Sequence, residues 1–320
     1  MKLSIFYHHL CAWAQQKDQS INSVLDTARS LGITHIEVDR DDIKDPQQFA
    51  ALLAAHDLQV SSIYGFYDWV NHPDDFKDDL QLRQAVLLHC DKIMIIPGFY
   101  SAAACHDNAD HSSANSKALQ KVREKLRNKL RSTGKSDDGS DLRAHEDHLM
   151  QGSMRQMIER AAALGLTVTI EDFDLNISPI CSSRGMLAMQ QNAPSLRTTF
   201  DTGNFYYSGE DALDAMNALR GTISHVHLKD RLLLPSLPEE QQLKNPEKVY
   251  GTPKCATSGE NMYPCAVGAG SMPIREILED LHGQGYTGCC AMEFFDVADY
   301  EKATRDSVDF LRQTGFFDHD

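Results

Sequence analysis

Three short apolar runs between Leu166 and Asp230 each stop on a residue able to bind a metal ion. Leu166-Thr167-Val168-Thr169-Ile170 runs into Glu171, Leu196-Arg197-Thr198-Thr199-Phe200 into Asp201, and Ile223-Ser224-His225-Val226 into His227. Near the C-terminus Cys289-Cys290-Ala291-Met292 runs into Glu293. Short apolar runs separated by helical patterns read as buried parallel strands of an α/β fold. If that sheet closes into a barrel, the C-terminal ends of all its strands point into one mouth. Glu171, Asp201, His227 and Glu293 are therefore expected to converge there as a metal site.

The rest of the chain keeps the same alternation. Leu3 to Tyr7 is a first strand, followed by a helix with Ile21, Val24, Leu25 and Ala28 on one face and Gly32 after its end. Thr34 to Val38, Leu58 to Ile63 and Lys92 to Ile96 read as the next three strands, with helices around Phe49 to Leu53 and Leu80 to His89 between them. A long helix from about Leu142 to Leu164 feeds the fifth strand. Helices near Gly185 to Gln191, Asp211 to Leu219, Ile274 to Leu281 and Tyr300 to Leu311 complete the rhythm. The prediction is a single-domain (β/α)8 TIM barrel over residues 1–320, with a doubly wound open sheet as the competing arrangement.

Two excursions interrupt it, at about 101–140 and 232–267, each too long for a simple loop. In the first, Lys117, Lys121, Arg123, Lys125, Arg127, Lys129, Arg131 and Lys135 interleave with Leu119, Val122, Leu126 and Leu130, the pattern of an amphipathic helix with a basic outer face. It reads as a solvated helix packed on the barrel or on a subunit neighbour, with an acidic partner or an anionic substrate tail as the alternative. His106, Asp110 and His111 read as a polar loop, His145 and His148 as a solvated helix face, and Cys255 and Cys265 as too far apart for a zinc clip.

Charge narrows the function. A formal charge of −15 argues against a nucleic-acid or anionic-membrane surface, which rewards clustered positive charge. No apolar run approaches membrane-spanning length, and the polar start does not form a secretory core. Eight cysteines without a C-x-x-C pair are expected to be reduced thiols of a cytoplasmic enzyme.

The motifs Thr169-Ile170-Glu171-Asp172, Phe200-Asp201-Thr202-Gly203-Asn204, His225-Val226-His227-Leu228-Lys229-Asp230, Val267-Gly268-Ala269-Gly270, and Gly285-Tyr286-Thr287-Gly288 leading to Glu293 keep their order and spacing from about Leu142 to Leu311. In this the chain resembles the xylose-isomerase-like, sugar phosphate isomerase/epimerase superfamily. The resemblance implies a divalent-metal-dependent isomerase or epimerase of a sugar, keto-sugar or polyol, with Glu171, Asp201, His227 and Glu293 as metal ligands. It also implies no nucleotide cofactor and a homo-oligomer, dimer or tetramer. The endonuclease branch of the fold needs more His ligands and a cationic face, which this chain lacks.

Three carboxylates and one imidazole make a hard donor set suited to Mn²⁺, with Mg²⁺, Co²⁺ or Zn²⁺ as alternatives. Open positions on the ion can take a substrate hydroxyl and a neighbouring carbonyl, stabilising the enediolate left when the carbon between them loses its proton. Glu171 and Glu293, on the fifth and eighth strands, can flank the substrate, one removing a proton and the other returning one. His225 and Lys229 fall two residues either side of His227 and should share its face; a packed core histidine and an ion pair of Lys229 with Asp230 are the bland alternatives. His8 or His9, at the end of the first strand, is expected at the substrate. Tyr64, Phe66 and Trp69 can form an apolar wall against a sugar's C–H face, with ordinary packing under a loop as the bland alternative.

Two departures open other readings. Asn204 stands where the ketohexose 3-epimerase branch carries a His, and Lys229-Asp230-Arg231 where it carries Glu and Arg. Lys-Asp after the His looks more like the inosose dehydratase branch, so a metal-dependent lyase is the first rival. A keto-glycoside-cleaving subunit and a non-catalytic metal-binding barrel that docks a partner are the others.

Overall fold

The computed structural model describes residues 1–101, 104, 140–234 and 245–317. The basic stretch 117–135 and the residues His106, Asp110 and His111 lie outside them.

Eight parallel strands close on themselves. They are β1 (Lys2–Phe6), β2 (His35–Asp39), β3 (Gln59–Phe66), β4 (Lys92–Ile96), β5 (Thr167–Glu171), β6 (Arg197–Asp201), β7 (Ile223–Lys229) and β11 (Cys289–Glu293). Around the barrel the order is β1-β11-β7-β6-β5-β4-β3-β2, so strands consecutive in sequence are neighbours. This is the predicted (β/α)8 barrel, and the open sheet is ruled out.

Ten helices are described: α1 (Tyr7–Gln16), α2 (Ile21–Ser30), α3 (Pro46–Ala55), α4 (Leu80–Leu87), α5 (Ser140–Ala162), α6 (Ser183–Gln191), α7 (Ala212–Leu219), α8 (Pro246–Tyr250), α9 (Ile274–Gly283) and α10 (Tyr300–Thr314). Local chemistry sets many starts. Ser20, Asp45, Ser182, Asp211 and Asp299 each accept a backbone N–H of the first turn, and Pro46 follows Asp45. One helix escapes the sequence reading: α1 begins directly after β1, so two helices rather than one separate β1 from β2. It therefore places His8 and His9 in a first helical turn.

Strand side chains divide into two layers. Leu3, Ile5, Ile36, Val38, Ile63, Ile93, Val168, Ile170, Phe200, Val226, Leu228 and Met292 point outward into the main core beneath the helices. The intervening residues point into the lumen, which is unusually polar on one side. There Ser4 meets Ser61 and Thr199 donates to Thr169, each at 2.8 Å. The other side is apolar: Phe6, Tyr64, Met94, Ile96 and Ala291 pack together, with Phe99, Phe173 and Phe295 against them.

In the second excursion the chain builds a small antiparallel sheet from β8 (Arg231–Leu233), β9 (Lys254–Cys255) and β10 (Asn261–Pro264), in the order β8-β10-β9. It follows β7 after one residue, Asp230. Among the described residues no helix is long and apolar enough to cross a membrane.

Candidate functional site

The four predicted ligands sit on β5, β6, β7 and β11, which are consecutive around the barrel. The register sets Asp201 level with His227, and Glu293 beside Lys229. One ligand atom from each of Glu171, Asp201, His227 and Glu293 lies within 4.8 Å of all the others, and all four residues are buried. Donors bound at about 2.1 Å to one ion stand roughly 3–4 Å apart, so small rotations close this set.

The hydrogen bonds show which atoms are reserved. Asp201 Oδ1 accepts from the backbone of Gly203 (2.7 Å) and Asn204 (2.8 Å), capping the turn after β6. Its Oδ2 is buried with no hydrogen bond, as is Glu293 Oε2. His227 Nδ1 faces Glu171 Oε1 at 2.8 Å and Glu293 Oε2 at 3.3 Å. Carboxylate oxygens converging on one imidazole nitrogen form a cluster that a divalent cation satisfies. The residues present fit such an ion.

A cation of the chain itself already enters this cluster. Lys229 Nζ lies 2.6 Å from Glu293 Oε1, 3.1 Å from Asp201 Oδ2 and 2.7 Å from Asn204 Oδ1. Its partners are thus the ligand acids and not Asp230. Burial would lower the Lys229 pKa, but Asp201 and Glu293 outweigh it and hold the ammonium well above its usual range. Burial would raise Glu293; Lys229 and His227 instead hold its carboxyl well below the usual range. Asp201 goes the other way: burial pushes it well up, and Lys229 offsets that only in part. Asp172, wholly buried behind it with Oδ1 accepting from Asp201 N at 3.1 Å, is also pushed well up, first by burial and then by Asp201.

Glu37 on β2 is the residue the motif reading missed. Its Oε2 lies 2.9 Å from His227 Nε2 and 2.7 Å from His225 Nε2, and all three side chains are fully buried. Burial raises the Glu37 carboxyl, but the two imidazoles overcome it and bring it down to about 2. A carboxylate on the far nitrogen of a ligand histidine fixes the ring's orientation and tautomer. The signal was present in His35-Ile36-Glu37-Val38-Asp39, where polar residues alternate with apolar ones and so face the lumen.

The other candidates divide. Asn204 belongs to the centre, bridging Lys229, the carbonyl of Asp172 (2.7 Å) and Glu171 Oε1 (3.4 Å). His225 lies two residues beneath His227 and is held on Glu37. His8 is exposed, with its ring 5.2 Å from that of Phe295. His9 is wholly buried, stacked on Phe294 at 4.6 Å, and its Nε2 accepts from Phe294 N at 3.0 Å. That bond leaves the proton on Nδ1, which has no partner. Burial depresses the His9 pKa well below its usual value, in keeping with a neutral ring. Trp69 is fully buried in the main core against Tyr67. The aromatic lining comes instead from Tyr64, Phe66 and Phe173, with Phe66 at 46% exposure the member at the surface.

No curated protein matches the chain by sequence. Among solved structures, D-psicose 3-epimerase from Clostridium cellulolyticum H10, solved with D-tagatose, superposes with a TM-score of 0.62 at 13% identity, covering 98% of this chain and 99% of that one. A probable 3-DHS dehydratase of petrobactin synthesis from Bacillus anthracis gives 0.61 at 17% identity, over 98% and 99%. The 3-keto-D-glucoside 4-epimerase of E. coli gives 0.60 at 16%, over 98% and 99%. At these identities the likeness is one of fold. The model of the xylose isomerase-like TIM barrel matches residues 25–314, and the chain belongs to that family.

Proposed function

We propose that this chain is a divalent-metal-dependent isomerase or epimerase acting on a sugar, keto-sugar or polyol. The observation that carries it is the convergence of Glu171, Asp201, His227 and Glu293, buried and within 4.8 Å of one another. Mn²⁺ suits that donor set first, with Mg²⁺, Co²⁺ and Zn²⁺ as alternatives. When bound, the ion supplies Lewis acidity to a substrate carbonyl and its neighbouring hydroxyl.

The chain's own groups then have separable tasks. Glu171 and Glu293 come from strands that are not neighbours, so each has access to a different face of a substrate lying across the mouth. One takes the proton from the carbon next to the carbonyl and the other returns a proton to the opposite face. Asp201 and His227 hold the centre, and Glu37 holds His227. Lys229 and Asn204 stand where substrate oxygens would lie, and His9 Nδ1–H is a further donor. Tyr64, Phe66 and Phe173 offer the apolar surface that a sugar's C–H face needs.

The test is a deuterium exchange assay. The protein is stripped with EDTA, reloaded with Mn²⁺, and incubated in D₂O with ketohexoses, 3-keto-glucosides and inososes, followed by NMR. The expected result is solvent deuterium at the carbon beside the carbonyl, without loss of water and only in the reloaded protein. Exchange that is equal with and without metal overturns the reading.

A dehydrating lyase is the second reading, favoured by one contact. The Lys229 ammonium lies 2.6 Å from Glu293 Oε1, so a proton donor stands beside a candidate base and can protonate a departing hydroxyl. An unsaturated product in the same assay selects it.

A further inference from the structure

The inward row of β7 does not stop at Lys229. His225, His227 and Lys229 occupy alternate positions, and Arg231, first residue of β8, continues the alternation beyond Asp230. Its main chain is held firmly. Its N–H donates to Asp230 Oδ1 at 2.9 Å, its carbonyl accepts from Ser271 at 2.8 Å, and it pairs with Pro264 of β10.

Arg231 is 5% exposed, yet among the described residues its guanidinium makes no hydrogen bond or ion pair, and its Nε is buried bare. The acids whose charge it feels are Asp174, Glu293 and Asp201. All three are engaged elsewhere, Asp174 by Lys254 and the other two by Lys229. Tyr207 is a neighbour: burial pushes its phenol up, and the Arg231 charge opposes that in part. The Tyr207 hydroxyl is itself buried without a partner, and Lys254 Nζ stands 4.8 Å above the centre of its ring.

A buried lysine or histidine can shed its proton to escape such a position; an arginine cannot. A permanently charged group with a buried Nε and no free anion among the described residues is costly, so an anion from outside the chain fits the place. The planar fork matches the two oxygens of a carboxylate or phosphate. We infer that Arg231 and the Tyr207 hydroxyl, with Lys254 at the edge, form an anion subsite beside the metal ligands, and that the sugar or polyol substrate carries a carboxylate or a phosphate ester. The sugar part of this inference rests on the proposed function. The anion subsite stands on Arg231 alone.

Calorimetric titration of the full chain, both loaded with Mn²⁺ and treated with EDTA, tests it with two matched pairs: D-gluconate against D-glucitol, and D-fructose 6-phosphate against D-fructose. The expected result is that the anionic member of one pair binds about tenfold tighter or more, in both metal states. Gluconate as the preferred ligand assigns a carboxylate, and the 6-phosphate assigns a phosphate. Arg231→Met removes the preference while Mn²⁺ still binds, and Tyr207→Phe weakens it by a smaller factor. If Arg231→Met does not fold, Arg231→Lys, which keeps the charge and loses the fork, is expected to bind the anion more weakly than the parent.

Equal binding of neutral and anionic members, no binding of either anion at millimolar concentration, or a preference that survives loss of the guanidinium overturns the inference. Failure of the proposed function looks different, with anion preference intact and no metal-dependent deuterium exchange. Exchange into a neutral sugar without any anion preference sinks the inference alone.

Discussion

His227 Nε2 lies 2.9 Å from Glu37 Oε2, although 190 positions separate the two residues in the chain and β11 and β1 stand between their strands. The same oxygen holds His225, so one carboxylate orients both imidazoles of β7. Glu37→Gln keeps the size of the side chain and weakens this hold. The expected outcome is a roughly 10–100-fold loss of Mn²⁺ affinity with the fold retained, read by calorimetry and far-UV circular dichroism. Unchanged affinity would show that the ring is positioned without Glu37.

Asp201→Asn separates the two oxygens of that residue. The remaining carbonyl oxygen can still accept from Gly203 and Asn204 and keep the turn, whereas Oδ2, the oxygen that faces Lys229, becomes an amide. Mn²⁺ at a hundred times its Kd should stabilise the parent protein by about 2.7 kcal/mol, raising Tm. The variant should fold and show no such shift.

Lys229→Met tests the cation inside the ligand set. Its removal leaves Asp201 and Glu293 buried and uncompensated, which should cost the metal-free protein about 3–5 kcal/mol. An added divalent ion then meets no competing ammonium. Mn²⁺ should therefore restore more stability to the variant than it adds to the parent, while activity falls. Thermal denaturation with and without metal reads both effects.

Asp230 does a different job from its neighbour Lys229. Its two oxygens accept the backbone N–H groups of Gly268 (2.9 Å), Gly270 (2.9 Å), Met272 (3.1 Å) and Arg231 (2.9 Å), tying the segment 268–272 to the start of β8. Asp230→Ala orphans these donors and should cost about 3 kcal/mol in urea denaturation. Gly270→Ala should act in the same direction, because a Cβ there would stand 2.2 Å from Asp230 Oδ1 and 2.7 Å from the Arg231 carbonyl.

His35 lies at the N-terminal end of β2, away from the mouth. Burial, aided by Lys2 and Lys92, lowers its pKa from 6.5 to about 4. The folded state thus binds its proton less readily than the unfolded chain. Its contribution to stability is complete above pH 6.5 and is lost as pH falls toward about 4. After allowance for solvent near the ring the loss should be about 2 kcal/mol. His35→Gln should flatten the pH dependence of unfolding between those limits.

How much of this was written in the sequence depends on the range of the interaction that decides it. Strand positions and their final acidic or imidazole residues were legible because side-chain alternation is local: Ile170 before Glu171 and Phe200 before Asp201 already separate a residue under the helices from one at the mouth. The helix start at Asp211 was legible for the same reason. Helix α1 was not, since Tyr7 to Gln16 carries no capping side chain and starts directly after β1. Trp69 shows the converse error: an aromatic beside the mouth in sequence was turned under it by packing on Tyr67.

Short-range periodicity in the sequence was enough, then, to show that strands alternate with helices and which four residues end four of the strands. Closure and relative register of the strands decided the rest. They brought Glu37 to His227, set Lys229 among the acids rather than on Asp230, and left Arg231 buried with no anion bonded to it among the described residues. Contacts across a closed sheet depend on the positions of strands far apart in the chain, and no local pattern encodes them.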